Sequence, residues 1–189
     1  MKQGFVRIIA GEWRGRKLKV PDIKGLRPTP DRVRETLFNW LAPYIQGAYC
    51  LDLFAGSGVL GFESLSRGAA YVTMVDASYD VIQLLQEELA QFGADNALVY
   101  QAKVPNELRT AARPFDIVFL DPPYQENLLL PCCHYLEERG FLAKSAYIYL
   151  EARHPIKDNE LPQNWRLIKN KQAGQVAYHL AYRELKNHE

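Results

Sequence analysis

The chain has 189 residues, of which 48% are hydrophobic and 24% are charged, and these values are typical of one globular domain with a full hydrophobic core. No segment approaches the apolar length that spans a bilayer, and the first residues lack the apolar stretch of a signal peptide, so we expect a cytoplasmic protein. The three cysteines and four histidines lack metal-ligand spacing, which predicts reduced thiols and no metal site.

The net charge of +1 hides an asymmetry along the chain. Residues 1–36 contain ten basic and four acidic side chains, a net charge of +6, whereas the remaining residues contain 13 basic and 18 acidic ones, a net charge of −5. A basic arm on an acidic body predicts a surface that contacts a polyanion such as a nucleic acid. A basic extension that is merely solvated is the alternative.

The first predicted elements are a β-hairpin and a helix. Residues 5–20 alternate loosely between apolar and polar side chains, which predicts a small hairpin with a basic turn. A connection that contains proline and glycine follows over 21–28. Apolar residues at helical spacing then predict a helix over 29–42, with Thr29 as its N-cap and Pro30 as its first residue.

From residue 48 onward the sequence alternates between strand and helix patterns. The predicted strands cover 49–54, 71–75, 97–101, 115–120 and 146–150. The predicted helices end near Arg67, run from Ser78 to Gly93, and cover 105–112 and 126–138. Two last β-rich stretches, 165–171 and 175–183, predict a hairpin that closes one edge of the sheet. We therefore expect an α/β, Rossmann-like and mostly parallel sheet with an antiparallel C-terminal hairpin, preceded by a small N-terminal β-hairpin and a helix.

A glycine-rich turn follows the first of these strands. Gly56, Gly58 and Gly61 form a GxGxxG pattern, and Asp76 ends the next strand 20 positions after Gly56. Glycines let the backbone approach a ligand closely, and a carboxylate at that second strand end can accept hydrogen bonds from both hydroxyls of a ribose. The pattern predicts an adenosyl cofactor without distinguishing NAD from S-adenosylmethionine.

Asp52 helps to separate these two cofactors. It lies at the end of the strand, before the glycines, where a carboxylate would repel a pyrophosphate bound at the helix N-terminus. The ammonium and sulfonium groups of S-adenosylmethionine suit a carboxylate at that place. Asp52 therefore favours methyl transfer.

The tetrapeptide Asp121-Pro122-Pro123-Tyr124 directly follows the apolar strand 115–120. The two prolines fix the chain and remove backbone donors, which leaves carbonyl acceptors beside the Asp121 carboxylate. Converging acceptors can hold both hydrogens of an exocyclic amine and direct its lone pair toward a methyl donor, while Tyr124 offers a ring on which a base can stack. These four residues are the predicted catalytic motif.

With these motifs the chain resembles class I methyltransferases of the (Asp/Asn)-Pro-Pro-(Tyr/Phe) type. Three further stretches, 7–18, 26–40 and 173–178, look like the bacterial 16S rRNA guanine-N2 methyltransferases. The resemblance implies a basic hairpin extension over 1–28 and a class I methyltransferase domain over 29–189, with its helix over 29–42 and its core over 48–189.

The resemblance also implies the reaction. The expected activity is methyl transfer from S-adenosylmethionine to N2 of a guanine in 16S rRNA, of the type that modifies guanine 966, during assembly of the small ribosomal subunit. The expected partner is 16S rRNA within the small subunit or an assembly intermediate. Nothing in the sequence requires a dimer, so we expect a monomer.

The expected site residues follow from the motifs and the resemblance together. The cofactor is expected at Asp52, Phe54, Gly56, Gly58, Asp76, Ala77, Gln101 and Ala102. RNA is expected at Arg7, Arg14, Arg16, Lys17, Arg32 and Arg34. Many such enzymes place an acidic or amide side chain after the third strand to meet the adenine amine, but here Lys103, which cannot accept a hydrogen bond, stands in that stretch. We expect Gln101 or a backbone group to make this contact.

Two other functions stay open at this point. A DNA adenine-N6 methyltransferase uses the same amine chemistry, although such enzymes usually carry a separate target-recognition domain, for which this chain leaves no residues. A non-catalytic ribosome-assembly factor would bind RNA without binding the cofactor. Two further classes are disfavoured: protein-glutamine methyltransferases resemble Asn-Pro-Pro-Tyr, and an NAD oxidoreductase leaves the Asp-Pro-Pro-Tyr motif unexplained.

Overall fold

The structure, a computed structural model, describes residues 4–23 and 28–185. Its strands are β1 (Gly4–Arg7), β2 (Lys17–Val20), β3 (Tyr49–Asp52), β4 (Tyr71–Asp76), β5 (Ala97–Gln101), β6 (Phe115–Leu120), β7 (Leu142–Ala152), β8 (Trp165–Ala173) and β9 (Val176–Glu184). Its α-helices are α1 (Asp31–Leu41), α2 (Val59–Ser66), α3 (Tyr79–Phe92) and α4 (Leu129–Glu138). Part of the predicted connection 21–28 and of the stretch 26–40 lies outside the described residues.

Seven strands form the central sheet in the order β5-β4-β3-β6-β7-β9-β8. The strands β3 to β7 are parallel, and β9 lies antiparallel between β7 and β8. The predicted Rossmann-like sheet with an antiparallel C-terminal hairpin is confirmed. The strand order reverses between β3 and β6, and a ligand site in such a sheet is expected at the carboxyl ends of the strands beside this reversal.

The core lies on both faces of this sheet. Strand β6 is buried on both sides, because Ile117 and Phe119 pack into one apolar cluster and Val118 and Leu120 into the other. Alternate side chains of a strand point to opposite faces, so a strand covered by helices on both faces is apolar throughout. Within the described ranges, no helix combines the length and the apolar character needed to cross a membrane.

The N-terminal hairpin packs against helices α2 and α3. Its strands pair in antiparallel register, from Gly4 with Val20 to Arg7 with Lys17. The ring of Trp13 in the turn meets the ring of Phe92 edge-on at 4.9 Å. Since Phe92 is the last residue of α3, the turn of the hairpin lies near the edge of the sheet where the parallel strands begin.

Several predicted element boundaries are wrong, and the strand predicted over 49–54 ends at Asp52. Helix α1 begins at Asp31, and Thr29 does not cap it, because Pro30 occupies the N-cap position and makes no side-chain hydrogen bond there. The helix predicted over 126–138 begins only at Leu129, because a short 3-10 turn ends at Asn127, whose φ of 50° breaks the helical path. Strand β7 is longer than predicted, because β6 and β9 pair with it on both sides.

The helix predicted over 105–112 is absent from the described structure, where a turn spans 104–107. The backbone N–H of Lys103 donates to the Glu107 carboxylate at 2.8 Å, and the N–H of Glu107 donates to the Lys103 carbonyl at 3.1 Å. These reciprocal hydrogen bonds close a local turn that satisfies the backbone without further helical turns.

Candidate active site

Four acidic residues lie at the carboxyl ends of four neighbouring strands. Asp52 ends β3, Asp76 ends β4, Asp121 follows β6 and Glu151 is the second-last residue of β7. These strands lie side by side in the sheet. Because neighbouring strands are about 4.8 Å apart, the topology gathers four carboxylates at one edge of the sheet.

Asp52 is the most buried member of this group, with 3% of its surface exposed. Burial and then the negative charge of Asp76 raise its pKa to about 7, although backbone N–H groups of Phe54 and Gly61 partly oppose the shift. A buried carboxylate without a cationic partner is costly. The site therefore suits a ligand that brings a positive charge.

Asp76 holds the glycine turn in place. Its carboxylate accepts hydrogen bonds from the backbone N–H groups of Gly56 and Ser78, both at 2.9 Å. Gly58 has a φ of +75°, and a Cβ at this position would lie 2.4 Å from the Leu85 side chain. The turn thus keeps its backbone close to the strand ends only with glycine at position 58.

The remaining predicted cofactor residues surround this turn. Phe54 is half-buried and Ala102 is buried, whereas Ala77 and Gln101 are exposed. The backbone N–H of Ala102 donates to the Asp76 carbonyl at 3.0 Å. The Gln101 amide nitrogen donates to the Ala77 carbonyl at 2.8 Å, which leaves the amide oxygen of Gln101 as an available acceptor.

Asp121 stands beside Glu151, which the sequence analysis missed. Phe119 pairs with Tyr149 and Leu120 with Leu150, so the next position along both strands brings the two carboxylates together. Burial raises the pKa of Asp121 well above its usual range, and the negative charges of Glu151 and Asp52 raise it further. The available signal was the one that singled out Asp52, an acid at the end of an apolar strand.

Tyr124 opens the 3-10 turn after the two prolines, and its ring is half-buried. Its hydroxyl donates to Glu151 Oε1 at 2.7 Å. The guanidinium of the exposed Arg153 lies 5.4 Å from the centre of the Tyr124 ring. Arg153 was not predicted as a site residue, and it places a positive charge beside the predicted base platform.

Arg16, in the basic turn of the hairpin, lies apart from this edge. Arg7, Arg14, Arg16 and Lys17 are exposed, and the Arg16 guanidinium lies 3.6 Å from the centre of the Phe92 ring. Phe92 ends a helix of 14 residues, and such a helix is about 20 Å long. The helix starts at the edge of the sheet where the four carboxylates gather, which is called the catalytic edge below. Arg16 and Asp121 therefore occupy opposite ends of the domain.

Arg34 does not face RNA, which corrects its predicted role. Its side chain is fully buried, and its guanidinium pairs with Glu63 at 3.2 Å and with Asp31. It also donates to the backbone carbonyls of Arg7 at 3.0 Å and Thr29 at 3.2 Å. The guanidinium stays inside because its donors are satisfied by acceptors from the hairpin, α1 and α2.

Arg32 lies on the exposed side of helix α1. Trp40, two helical turns later, stacks on Tyr178 at 5.7 Å, and Tyr178 pairs with Glu151. Tyr44, just after the helix, stacks on Tyr147 nearer the start of β7. Arg32 precedes Trp40 by eight residues, about 12 Å along the helix axis.

A cavity of about 370 Å³ lies at the opposite edge, where the parallel strands begin, and its lining includes Tyr44, Arg113 and Tyr147. It contains none of the predicted site residues. In α/β sheets of this type, ligands bind at the carboxyl ends of the strands. The carboxylate cluster, rather than this cavity, is the candidate active site.

The strand order, the glycine turn held by Asp76 and the Asp-Pro-Pro-Tyr motif after β6 define a class I methyltransferase that uses S-adenosylmethionine. A family model described as Conserved hypothetical protein 95 matches residues 6–182, and the chain belongs to this family.

Several relatives are named ribosomal RNA small subunit methyltransferase D. The Escherichia coli protein of this name is 51% identical over 181 residues, which are 96% of this chain and 91% of that protein. The Haemophilus influenzae protein of this name is 48% identical over 94% of each chain. The solved structure of the Escherichia coli protein yhhF has a TM-score of 0.88 at 50% identity and covers 97% of this chain and 100% of that one. The membership predicted from the sequence is confirmed.

Proposed function

We propose that this protein transfers a methyl group from S-adenosylmethionine to N2 of a guanine in 16S rRNA, within the small ribosomal subunit or an assembly intermediate in the cytoplasm. The observation that carries the proposal is the Asp-Pro-Pro-Tyr motif beside the buried Asp52 carboxylate. The names of the relatives, ribosomal RNA small subunit methyltransferase D, support the small-subunit rRNA as the substrate. Guanine 966 is the position that the family resemblance suggests.

The residues around Asp52 fit the cofactor. Asp52 supplies a buried negative charge for the ammonium and sulfonium groups, and Asp76 supplies acceptors for the ribose hydroxyls. The backbone of Gly56 and Gly58 leaves room beside them, and Gln101 retains an acceptor for the adenine amine. Phe54, Ala77 and Ala102 complete the proposed site.

When held by these residues, S-adenosylmethionine would supply an electrophilic methyl group on a positively charged sulfur, with a neutral thioether as the leaving group and the guanine N2 lone pair as the acceptor of the methyl group. Asp121 and a nearby backbone carbonyl hold the two amine hydrogens, which aligns the lone pair. One proton then leaves N2 for the Asp121 carboxylate, and the electrons of that N–H bond stay on nitrogen.

The target base reaches the site from the side of Tyr124. A guanine inside folded RNA has to leave its stack to enter a pocket, and an aromatic ring at the mouth offsets part of the lost stacking. Arg153 lies on this side, with its guanidinium 5.4 Å from the centre of the Tyr124 ring, and Arg32 is exposed on helix α1. They bind the phosphates next to the target, while the hairpin tip with Arg14, Arg16 and Lys17 binds RNA farther away, a separation that suits a large, folded substrate.

Substrate class is tested by offering labelled S-adenosylmethionine together with small subunits that lack the modification, naked 16S rRNA, or duplex DNA. We expect label on the unmodified small subunit and none on DNA. A matched pair of variants reports on the site: Asp121→Ala abolishes transfer, and Asp95→Ala, at an exposed aspartate between α3 and β5, leaves it unchanged. Label on DNA alone would favour the adenine-N6 alternative, and RNA binding without cofactor binding would favour an assembly factor.

A further inference from the structure

We infer that Glu151 is a positioning residue of the methyl-transfer site. It holds the Tyr124 ring through the Tyr124 hydroxyl, and it places a second carboxylate beside that of Asp121. The inference rests on the proposed function, because it gives Glu151 a part in handling the target base and the proton that N2 releases.

Both oxygens of the Glu151 carboxylate are engaged. Oε1 accepts the Tyr124 hydroxyl at 2.7 Å, and Oε2 accepts the Tyr149 hydroxyl at 2.9 Å. Glu151 is 8% exposed and Tyr149 is fully buried. Tyr149 also meets the Phe119 ring edge-on at 6.5 Å. A continuous series of contacts therefore runs from the core of the sheet to the loop that carries Tyr124.

Tyr124 depends on this contact for its orientation. Its ring is half-buried in a short 3-10 turn. Its hydroxyl donates to Glu151, and the Arg153 guanidinium lies 5.4 Å from the centre of its ring. Arg153 is exposed, and the interactions of a long charged side chain at a surface contribute little energy. The hydrogen bond to Glu151 is thus the contact that fixes the ring at the mouth of the site.

The second effect of Glu151 is electrostatic. The groups that face Asp121 are Glu151 and the Tyr149 hydroxyl from β7, Asp52 from β3 and the Tyr124 hydroxyl from its own loop. Burial contributes most to the raised pKa of Asp121, and the charge of Glu151 comes next. A higher proton affinity makes Asp121 a better acceptor when the N–H bond of the methylated amine breaks.

The test compares full-length wild type with Glu151→Gln, Tyr124→Phe and the control Glu87→Gln, which removes the same charge from an exposed position on α3. The measurements are kcat on unmodified small subunits at several pH values, Kd for S-adenosylmethionine, and NMR titration of isotope-labelled aspartate carboxyl groups, with Asp121 assigned through Asp121→Asn. The titration needs no RNA substrate.

For Glu151→Gln we expect kcat to fall by roughly tenfold to hundredfold, with cofactor Kd unchanged. Because a neighbouring negative charge is lost, the acid limb of kcat and the Asp121 titration both move to lower pH, by about one unit or more. Tyr124→Phe lowers kcat and leaves the Asp121 titration near its wild-type midpoint, and Glu87→Gln changes neither.

An Asp121 titration and a kcat that match wild type in Glu151→Gln overturn the inference. Equal losses of cofactor affinity, thermal stability and kcat with an unmoved Asp121 titration overturn it as well, because they describe a purely structural residue. If wild type labels no small subunit, the proposed function fails, and the NMR titration still decides whether Glu151 sets the proton affinity of Asp121.

Discussion

The buried guanidinium of Arg34 and the buried carboxylate of Glu63 lie 3.2 Å apart and join helix α1 to helix α2. The same carboxylate accepts the backbone N–H groups of Ile9 and Ala10 at 2.9 and 3.0 Å, and the Arg67 side chain at 2.8 Å. One buried acid thus connects the N-terminal hairpin, α1 and α2, and this connection gives the first prediction.

We expect Arg34→Ala to lower the free energy of unfolding, because Arg34 stabilises the fold and does not contact RNA. The substitution leaves Glu63 buried with one fewer cationic partner, and breaking a buried ion pair on one side costs about 3–5 kcal/mol. Denaturant unfolding measures this loss. Arg32→Ala, on the exposed side of the same helix, serves as the control and changes the free energy of unfolding by less than about 0.5 kcal/mol. Equal stabilities of the two variants would contradict the structural role of Arg34.

Asp52→Asn changes both the pH dependence of stability and cofactor binding. The pKa of Asp52 rises from its ordinary 3.8 to about 7 on folding, so the folded protein keeps a proton that the unfolded chain releases. The free energy of unfolding of the ligand-free wild type therefore falls as pH rises from about 4 to about 7, by up to about 4 kcal/mol.

In Asp52→Asn the free energy of unfolding no longer shows this part of its decline with rising pH. The variant also binds S-adenosylmethionine at least about tenfold more weakly, because the cationic groups of the cofactor lose their partner. Unfolding at several pH values and calorimetric titration measure the two effects. Asp95→Asn, at an exposed site, is the matched control. A pH dependence of stability in Asp52→Asn identical to that of wild type would contradict the account.

Gly58→Ala damages the glycine turn more than a glycine replacement elsewhere does. The added Cβ would meet the Leu85 side chain at 2.4 Å, whereas a Cβ at Gly93, which shares the positive φ, would have nothing within 4 Å. Gly93→Ala therefore reports the backbone strain alone, about 1–2 kcal/mol. We expect Gly58→Ala to lose more stability than Gly93→Ala and to weaken cofactor binding, and equal effects would show that the crowding at Leu85 has no consequence.

We expect RNA binding to depend on two separate basic surfaces. Replacing Arg32 and Arg153 with alanine is expected to weaken RNA binding and lower kcat together, because Arg153 lies beside the Tyr124 ring and Arg32 is exposed on α1. Replacing Arg14, Arg16 and Lys17 weakens RNA binding and lowers its salt dependence, because fewer counterions are released. Neither set changes the Kd for S-adenosylmethionine. Affinity that is independent of salt in wild type would contradict phosphate binding by either surface.

The sheet and three of its four acids were predictable, because parallel strands with apolar runs place their ends at one edge. Glu151 was missed because the strand was predicted to end at Leu150, two residues before its end at Ala152, and only the pairing of β7 with β9 extends it through Glu151. The ion pair between Arg34 and Glu63 could not be predicted from a local pattern, because the two residues are separated by 29 positions in the sequence. The placement of the hairpin tip likewise depends on contacts with the distant Ser66 and Phe92.

The division of the chain at residue 28, the roles of the cofactor-binding residues and the monomeric state stay predictions. The family and the Rossmann-like methyltransferase fold are established by the strand order and by the relatives. Chemistry at the strand ends was easier to predict than RNA contacts, because strand ends are fixed by the fold, whereas exposed basic residues are common on any surface.

Methyl transfer to guanine N2 is tested by digesting the labelled small subunits and identifying the labelled nucleoside. We expect N2-methylguanosine as the labelled product, its absence with Asp121→Ala and its retention with Asp95→Ala. Label in any other nucleoside, or N2-methylguanosine that persists at the wild-type level in Asp121→Ala, would contradict the proposed reaction.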